Sequence, residues 1–307
     1  MISLVMTTYN GLKYISEQLD SIRTQTLLPD EVLIYDDRST DGTYEYVQEY
    51  IDRYSLHTWK VYRNKENKGY SLNFSDAIDS AKGKLIFLCD QDDIWHSDKI
   101  EKMSKIMEEN SPIELLASNV HPFYMGEHPQ RVHYQKYKGE LIKIRRLGEW
   151  IKPARPGCTM CFRRTLMKNY QSLWFREYPH DCLLWGLAVL QGKAYIYNRE
   201  TIEFRRHDSN ASSRGGYDVN YRIRGIENEI RIINQADNYF ELHDLKLHSF
   251  LRIQKRVYEK RKECLINTKL ISSVMMVRYL RYYGQTRFWM TDLYYVLKTN
   301  INKCVTS

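Results

Sequence analysis

Residues 85–95 read LIFLCDQDDIW. Four consecutive large apolar side chains, Leu85 to Leu88, match a strand buried on both faces. The run stops at a dense acidic block, Asp90-Gln91-Asp92-Asp93. In open α/β sheets, ligands bind outside the carboxyl ends of the strands, and this block has that position. Working outward, the same alternation repeats. Ile2 to Met6 is a continuous apolar run that turns polar at Thr7-Thr8-Tyr9-Asn10. Val32 to Tyr35 is a second, closing on Asp36-Asp37, and Trp59 to Tyr62 is a third. Helical spacing falls between them. Leu12, Ile15, Leu19 and Ile22 predict an amphipathic helix over 12–25, and caps at Ser39 to Thr43 open another that runs to about Tyr54. Two more follow, over 70–81 after Gly69 and from about Ser97 to Glu109. Strands and helices alternating at this spacing predict the α/β class, with a mainly parallel, doubly wound sheet.

The remainder is less regular. Residues 113–210 mix signals: strands over Leu115 to Val120 and Ala194 to Tyr197, and a helix over His180 to Leu190 that ends near Gly192. From about residue 217 the pattern is mainly helical, with Ile223, Ile226, Ile230 and Ile233 on one face. The 307 residues suit one large or two modest domains and can bury a core without disulfides. Apolar residues make up 43% and charged residues 27%, which excludes a disordered chain. Mean hydropathy is −0.59, and no run approaches the roughly 18 apolar residues of a membrane span. Met1 to Met6 lacks the basic flank of a secretory signal and reads as a strand. The six cysteines are therefore expected as reduced thiols in a cytoplasmic protein.

The net charge of +8 is unevenly placed. Residues 221–307 hold 16 Lys/Arg and 8 Asp/Glu, whereas residues 1–220 hold 30 of each. A basic, Tyr-rich tail suits nucleic acid, an anionic membrane or a solvated helical face. Arg278, Arg281 and Arg287 lie among Tyr279, Tyr282, Tyr283, Phe288 and Trp289. Cations with interfacial aromatics suit peripheral attachment to the inner face of the cell membrane, and equally a helical contact in a homo-oligomer.

Three polar clusters follow strands: Thr7 to Asn10, Asp36-Asp37 and Asp90 to Asp93. Three carboxylates within four positions repel one another, and a divalent cation, Mg2+ or Mn2+, relieves that repulsion through hard oxygen ligands. Such an ion bridges nucleotide phosphates and stabilises a departing diphosphate. Neither GxGxxG nor GxxxxGK[ST] occurs, so a nucleotide would be held by side chains. Tyr9 offers a ring to stack on a base and Asp37 an acceptor for a pyrimidine imide; each equally suits a local turn or helix cap.

The blocks VMTTYNG, DDRSTDGT, NKGYSLNF, LCDQDDIW, PGCTM, HDCLLWGLAVLQG and FRRHDSNAS occur in that order. Together they resemble the family 2 glycosyltransferases of GT-A fold, particularly the rhamnosyltransferase-like branch of bacterial polysaccharide synthesis. The resemblance covers about residues 1–215. It implies a GT-A domain over 1–215, with a nucleotide-binding half (1–110) and an acceptor-binding half (111–215), followed by a basic helical segment over 216–307. By similarity, Thr7, Tyr9 and Asp37 would line a nucleoside pocket, with Lys68, Gly69 and Asn73 beside the nucleotide. Asp90 and Asp92 would form the Asp-x-Asp motif, with Asp92 the direct metal ligand. Asp181 matches the catalytic base. Arg205 and His207 match a basic motif near the diphosphate, where His207 is a metal ligand, a phosphate contact or a structural residue.

The implied activity is transfer of a sugar from a dTDP- or UDP-sugar to a glycan or lipid-linked glycan. A single carboxylate base takes the acceptor proton, and one displacement inverts the anomeric centre. Three features depart from the pattern. Arg38 stands where the family usually has Gly, and Cys182-Leu183 follow the base where aromatics are common. Cys158-x-x-Cys161, with His180 and Cys182 downstream, is a weak zinc pattern inside the acceptor-side PGCTM segment. The alternatives are a sugar nucleotidyltransferase, whose Gly-rich phosphate loop TTYNGLKY lacks, a non-catalytic sugar-nucleotide binder, and a nucleic-acid binder using the tail. With the resemblance, no nucleic acid partner is expected.

Overall fold

In a computed structural model, which describes residues 1–127, 129–208, 210, 218–240 and 245–306 (backbone only at 245 and 302–306), the apolar runs assemble into a nine-stranded sheet. The strands are β1 (Ile2–Thr8), β2 (Glu31–Asp36), β3 (Trp59–Arg63), β4 (Leu85–Cys89), β5 (Ile94–Trp95), β6 (Leu115–Tyr124), β7 (Leu141–Lys143), β8 (Met160–Arg163) and β9 (Ala194–Arg206). Their order is β3-β2-β1-β4-β8-β6-β9-β5, with β7 also paired to β9. β1 to β4 run parallel to one another, and β6 runs parallel to β9. β8 lies antiparallel between β4 and β6, and β5 and β7 run antiparallel to β9. The sheet is therefore mixed: residues 1–110 build the four-stranded parallel part, and β6 and β9 add one further parallel pair. β5, β7 and β8 escape the sequence reading because two to four residues are too short to show a period.

The helices in chain order are α1 (Ile15–Arg23), α2 (Thr43–Arg53), α3 (Tyr70–Ser80), α4 (Lys99–Glu109), α5 (Met167–Leu173), α6 (His180–Leu190), α7 (Val219–Phe240), α8 (Leu245–Ile266), α9 (Leu270–Met275) and α10 (Thr286–Thr306). All five residues of β4 are buried. α1 lays Ile15, Leu19 and Ile22 on the core, at the spacing the sequence shows. Each such side chain contributes about 1.5–3 kcal/mol by leaving water. α1 starts later than predicted, because the N–H groups of Tyr14 and Ile15 both donate to Gly11 O, and Leu12 is left in an exposed turn. α6 is buried at every residue except Asp181.

The chain divides into two compact units. Met1–Ile144 with Pro153–Arg214 forms the first, and Arg145–Lys152 with Gly215–Ser307 the second. The expected boundary at 215/216 lies outside the described residues. Arg145–Lys152 joins the second unit, where Trp150 Nε1 donates to Gln254 Oε1 at 2.7 Å. Part of that unit's basicity is internal. Arg261 is buried between the rings of Tyr258 and Tyr283, 4.4 and 4.3 Å from their centroids. The Nε atoms of Arg261 and Arg222 each donate to Asp292 at 2.8 Å. The five cysteines among the described residues that carry side chains are buried thiols.

Candidate active site

Strand register brings three loops to one edge of the first unit. Thr8 pairs with Asp36 and Met6 with Cys89, so Thr7 to Asn10, Asp36-Asp37 and Asp90 to Asp93 emerge from adjacent strands. Asp36 is fully buried and accepts from Thr8 Oγ1 (2.9 Å) and Ser39 N (2.8 Å). It fixes a turn in which Arg38 adopts φ +63°, the left-handed region, where the family resembled usually has Gly. An L-residue costs about 1–2 kcal/mol there, which the hydrogen-bonded turn around it sustains.

Asp37 serves the next loop. Its carboxylate accepts from Asn64 Nδ2 (2.9 Å), Lys68 N (2.8 Å) and Gly69 N (2.8 Å). Gly69, at φ +82°, is where the backbone needs freedom from a Cβ. Asn73 is buried and spans the same loop, donating to Tyr35 O (2.8 Å) and accepting from Asn64 (2.8 Å). Lys68 Nζ reaches Asp76 at 2.5 Å. Thr7 is half-buried beside Tyr35 in the register, and the Tyr9 ring is exposed. Gln91, the neutral residue of the acidic block, clasps the Tyr9 backbone: it accepts from Tyr9 N at 2.9 Å and donates to Tyr9 O at 3.1 Å.

The acidic block is held from β9. Arg205 is buried, with its N–H on Asp93 Oδ1 (3.0 Å) and its Nε on Asp92 O (2.8 Å). Its guanidinium lies 4.7 Å from the Tyr14 ring centroid and 4.8 Å from that of Phe123, with Glu17 at 3.1 Å. His207 Nε2 is 2.9 Å from Asp92 Oδ2, which also accepts from Asn210 Nδ2 at 3.0 Å. Burial pushes Asp90 up to about 7, and the charges of Asp92 and then Asp181 add to it. Asp93 is held well above the usual carboxylate range by burial, then by Asp92 and Asp90. Asp93 Oδ2 is buried, and the group set against the Asp93 carboxyl besides Arg205 is the Cys158 thiol.

These residues fit a divalent cation. Mutually repelling carboxylates are a site short of positive charge. One oxygen each of Asp90 and Asp93 and the Cys158 sulfur lie within 4.8 Å of one another. Burial, then Asp93 and Asp90, drives the Cys158 thiol well up, so it stays protonated and a poor ligand. The carboxylates alone are hard donors, which suit Mg2+ or Mn2+.

A pH test follows. Between its unfolded value of 3.8 and about 7, Asp90 keeps a proton in the fold that the unfolded chain releases. Its contribution to stability therefore falls as pH rises through that window. In chelator, the melting temperature of Asp90→Asn should exceed wild type at pH 8 and match it more closely at pH 5. Scanning calorimetry giving parallel pH slopes would refute this.

Asp181 sits in the first turn of α6, after Pro179, and its Oδ1 accepts from Cys182 N at 2.9 Å. A Cβ on Gly157 would lie 3.0 Å from Asp181 Cβ and 3.3 Å from its Oδ2, so the glycine of PGCTM admits the α6 terminus. Gly157 is followed by Cys158, whose sulfur lies within 4.8 Å of oxygens of Asp90 and Asp93, so this segment links the α6 terminus to the acidic block. The segment before α6 also meets the Asp37 loop, through Ser71 Oγ donating to Tyr178 O at 3.0 Å. His180 instead stacks on Phe74 at 4.1 Å, and burial pushes it down to about 4, so it is neutral. A cavity of about 330 Å³ in the same unit is lined by Asn119, Tyr134, Tyr137, Arg155, Asn198 and Glu200 among others.

Gln91, Gly157, Asn210, Arg206 and the Tyr134 cavity wall are absent from the sequence reading. Gln91 and Asn210 stand inside recognised blocks, three residues or fewer from Asp92 and His207, and that adjacency was the available signal.

The model of the family described as glycosyl transferase family 2 matches residues 3–171. An uncharacterized glycosyltransferase of Rickettsia typhi is 27% identical over 225 residues, 69% of this chain and 66% of that protein. The putative teichuronic acid biosynthesis glycosyltransferase TuaG of Bacillus subtilis is 35% identical over 113 residues, 36% of this chain and 43% of that protein. The crystal structure of residues 1–349 of S. aureus TarS in complex with UDP-GlcNAc has the same fold. Its TM-score is 0.63 at 17% identity, over 98% of this chain and 92% of that one. The mannosyltransferase PcManGT of Pyrobaculum calidifontis, in complex with GDP-Man and Mn2+, has a TM-score of 0.52 at 16% identity, over 98% and 86%.

Proposed function

The chain belongs to glycosyl transferase family 2 and is a glycosyltransferase of GT-A fold, and we propose that it transfers one sugar, with inversion, from a nucleoside-diphospho-sugar to a glycan or lipid-linked glycan in bacterial cell-surface polysaccharide synthesis. One observation carries this reading. Asp181 is the single residue of an otherwise buried helix left accessible, and it lies against Gly157, next in sequence to the Cys158 that sits beside Asp90 and Asp93.

The chemistry follows from that pairing. The acceptor hydroxyl gives its proton to a carboxylate oxygen of Asp181 as its oxygen bonds to the anomeric carbon. The bond from that carbon to the diphosphate oxygen breaks on the opposite face, which inverts the centre. Asp90 and Asp92 would hold a divalent cation, which when bound supplies positive charge to the departing diphosphate. Asp37 Oδ2 accepts one hydrogen bond, from Gly69, and keeps a lone pair for a base imide N–H, while the exposed Tyr9 ring offers a stacking surface. Lys68, Gly69 and Asn73 shape the loop beside the nucleotide, and Thr7 the strand end beneath it. We assign Arg205 and His207 to holding Asp93 and Asp92 in place, with His207 also within reach of a cation bound there. The cavity beside Tyr134 suits the acceptor glycan. A cytoplasmic enzyme attached to the inner face of the membrane would meet both a soluble donor and a lipid-linked acceptor.

Calorimetric binding of dTDP-rhamnose, UDP-GlcNAc and GDP-mannose, with Mn2+, with Mg2+ and in chelator, tests the assignment. At least one should bind only with metal and be slowly hydrolysed. Binding indifferent to metal across the set would overturn it.

A further inference from the structure

We propose that the paired helices α9 and α10 of the second unit form a docking surface for an anionic lipid bilayer. This names a surface and a partner beyond the catalytic assignment and does not depend on the donor chemistry. α10 carries Met290, Tyr294, Leu297 and Ile301 along one stripe, at 60%, 57%, 39% and 60% exposure. The segment from α9 onward adds Ile271 at 81%, with Val274, Met275 and Val277 also exposed. The two elements are joined: Trp289 Nε1 donates to Ser273 O at 2.8 Å, and Asn300 Nδ2 to Thr268 O at 3.0 Å. Single exposed apolar side chains are ordinary, but two neighbouring elements carrying them at close spacing mark an interaction surface.

Charge selects the partner. Residues 268–307 contain six Lys/Arg and one acidic residue, Asp292. Asp292 is buried in its ion pairs with Arg222 and Arg261 and offers nothing to the surface. Arg278, Arg281, Arg287 and Lys298 are exposed, whereas Lys269 is paired with Glu263 at 2.5 Å. A second copy docked symmetrically on this face would set like charges against like. An anionic bilayer accepts both components, taking the apolar stripe into its interface and the cations at its headgroups. Tyr279, Tyr294 and Trp289 are the amphipathic rings that favour that depth. Among the described residues no helix is long and apolar enough to cross a membrane, so the segment would lie on the surface.

The test is flotation of the full chain with vesicles of phosphatidylcholine alone and of phosphatidylcholine mixed with phosphatidylglycerol, over a salt series. The wild type should float only with the mixed vesicles, and less so as salt rises. One variant combines Ile271→Ser, Met290→Ser, Tyr294→Ser and Ile301→Ser, and a second combines Arg278→Glu, Arg287→Glu and Lys298→Glu. Each should lower partitioning by at least about tenfold, with melting temperature and nucleotide-sugar binding unchanged. Flotation equal in wild type and both variants would overturn the proposal, as would indifference to lipid charge. So would sedimentation showing a wild-type dimer that the apolar variant converts to monomer.

Discussion

Asp181→Asn should lower the rate of sugar transfer by about 10²–10⁴-fold while leaving donor affinity almost unchanged. The substitution keeps the shape of the side chain, so it still fits against Gly157, where a larger group would meet the backbone. Its amide oxygen can still accept from Cys182 N, and α6 keeps its first turn. Losing a negative charge from that turn costs about 0.3–1 kcal/mol, too little to unfold a helix buried along ten of its eleven residues. What disappears is the capacity to take a proton. The effect should therefore fall on kcat and not on the donor term, measured by single-turnover transfer beside calorimetric binding. Wild-type kcat in the Asp181→Asn enzyme would remove Asp181 from the chemistry, whereas loss of donor binding would make it a structural residue of the pocket.

Asp92→Asn should abolish the metal-dependent part of donor binding, lowering affinity by at least about 100-fold in Mn2+ while leaving the weak affinity in chelator as it was. Asn is again the informative replacement. Alanine would also remove the acceptor that Asn210 Nδ2 and His207 Nε2 share at Asp92 Oδ2, mixing a packing change with the loss of charge. His207→Gln separates the two roles open to that residue. If it only orients Asp92, affinity in Mn2+ should drop about tenfold. A drop equal to that of Asp92→Asn would make it a ligand in its own right. Donor affinity in Mn2+ that survives Asp92→Asn intact would move the cation away from the acidic block.

The two experiments bear on different links of one chain. The Asp92 charge already raises Asp90 and Asp93 in the ligand-free chain, so on the proposed reading its replacement should act at the binding step. As the proposed base, Asp181 should act only when an acceptor is present. A variant series should therefore show Asp92 controlling binding and Asp181 controlling turnover.

Much of the architecture is legible residue by residue. Leu85 to Leu88 announce β4, Ile15, Leu19 and Ile22 announce α1, and His180 to Leu190 match α6 end to end. These signals are local, because periodic burial writes itself into consecutive residues. Where local signal fails, the structure departs from it. β9 runs on from Tyr197 through Asn198, Arg199 and Glu200 to Arg206, because β6 supplies backbone partners past a register shift at Ser118 and Asn119. Lys99 and Lys102 stand one turn apart in α4 and look alike as sequence. Lys99 is wholly buried, its Nζ 4.6 Å from the Trp95 ring and bonded to Thr201, and burial pushes its ammonium down to about 8. Lys102 is exposed and paired with Asp98.

The order of apolar runs and the acidic residues that close them were enough to establish an α/β sheet with carboxylates at its edge, since both are properties of short segments and of the strand period. Which carboxylate faces which, that Gln91 clasps Tyr9, and that Gly157 admits Asp181 came from the folded chain alone. Those contacts join residues far apart in sequence, and their energies depend on distance and burial, quantities a linear chain does not contain.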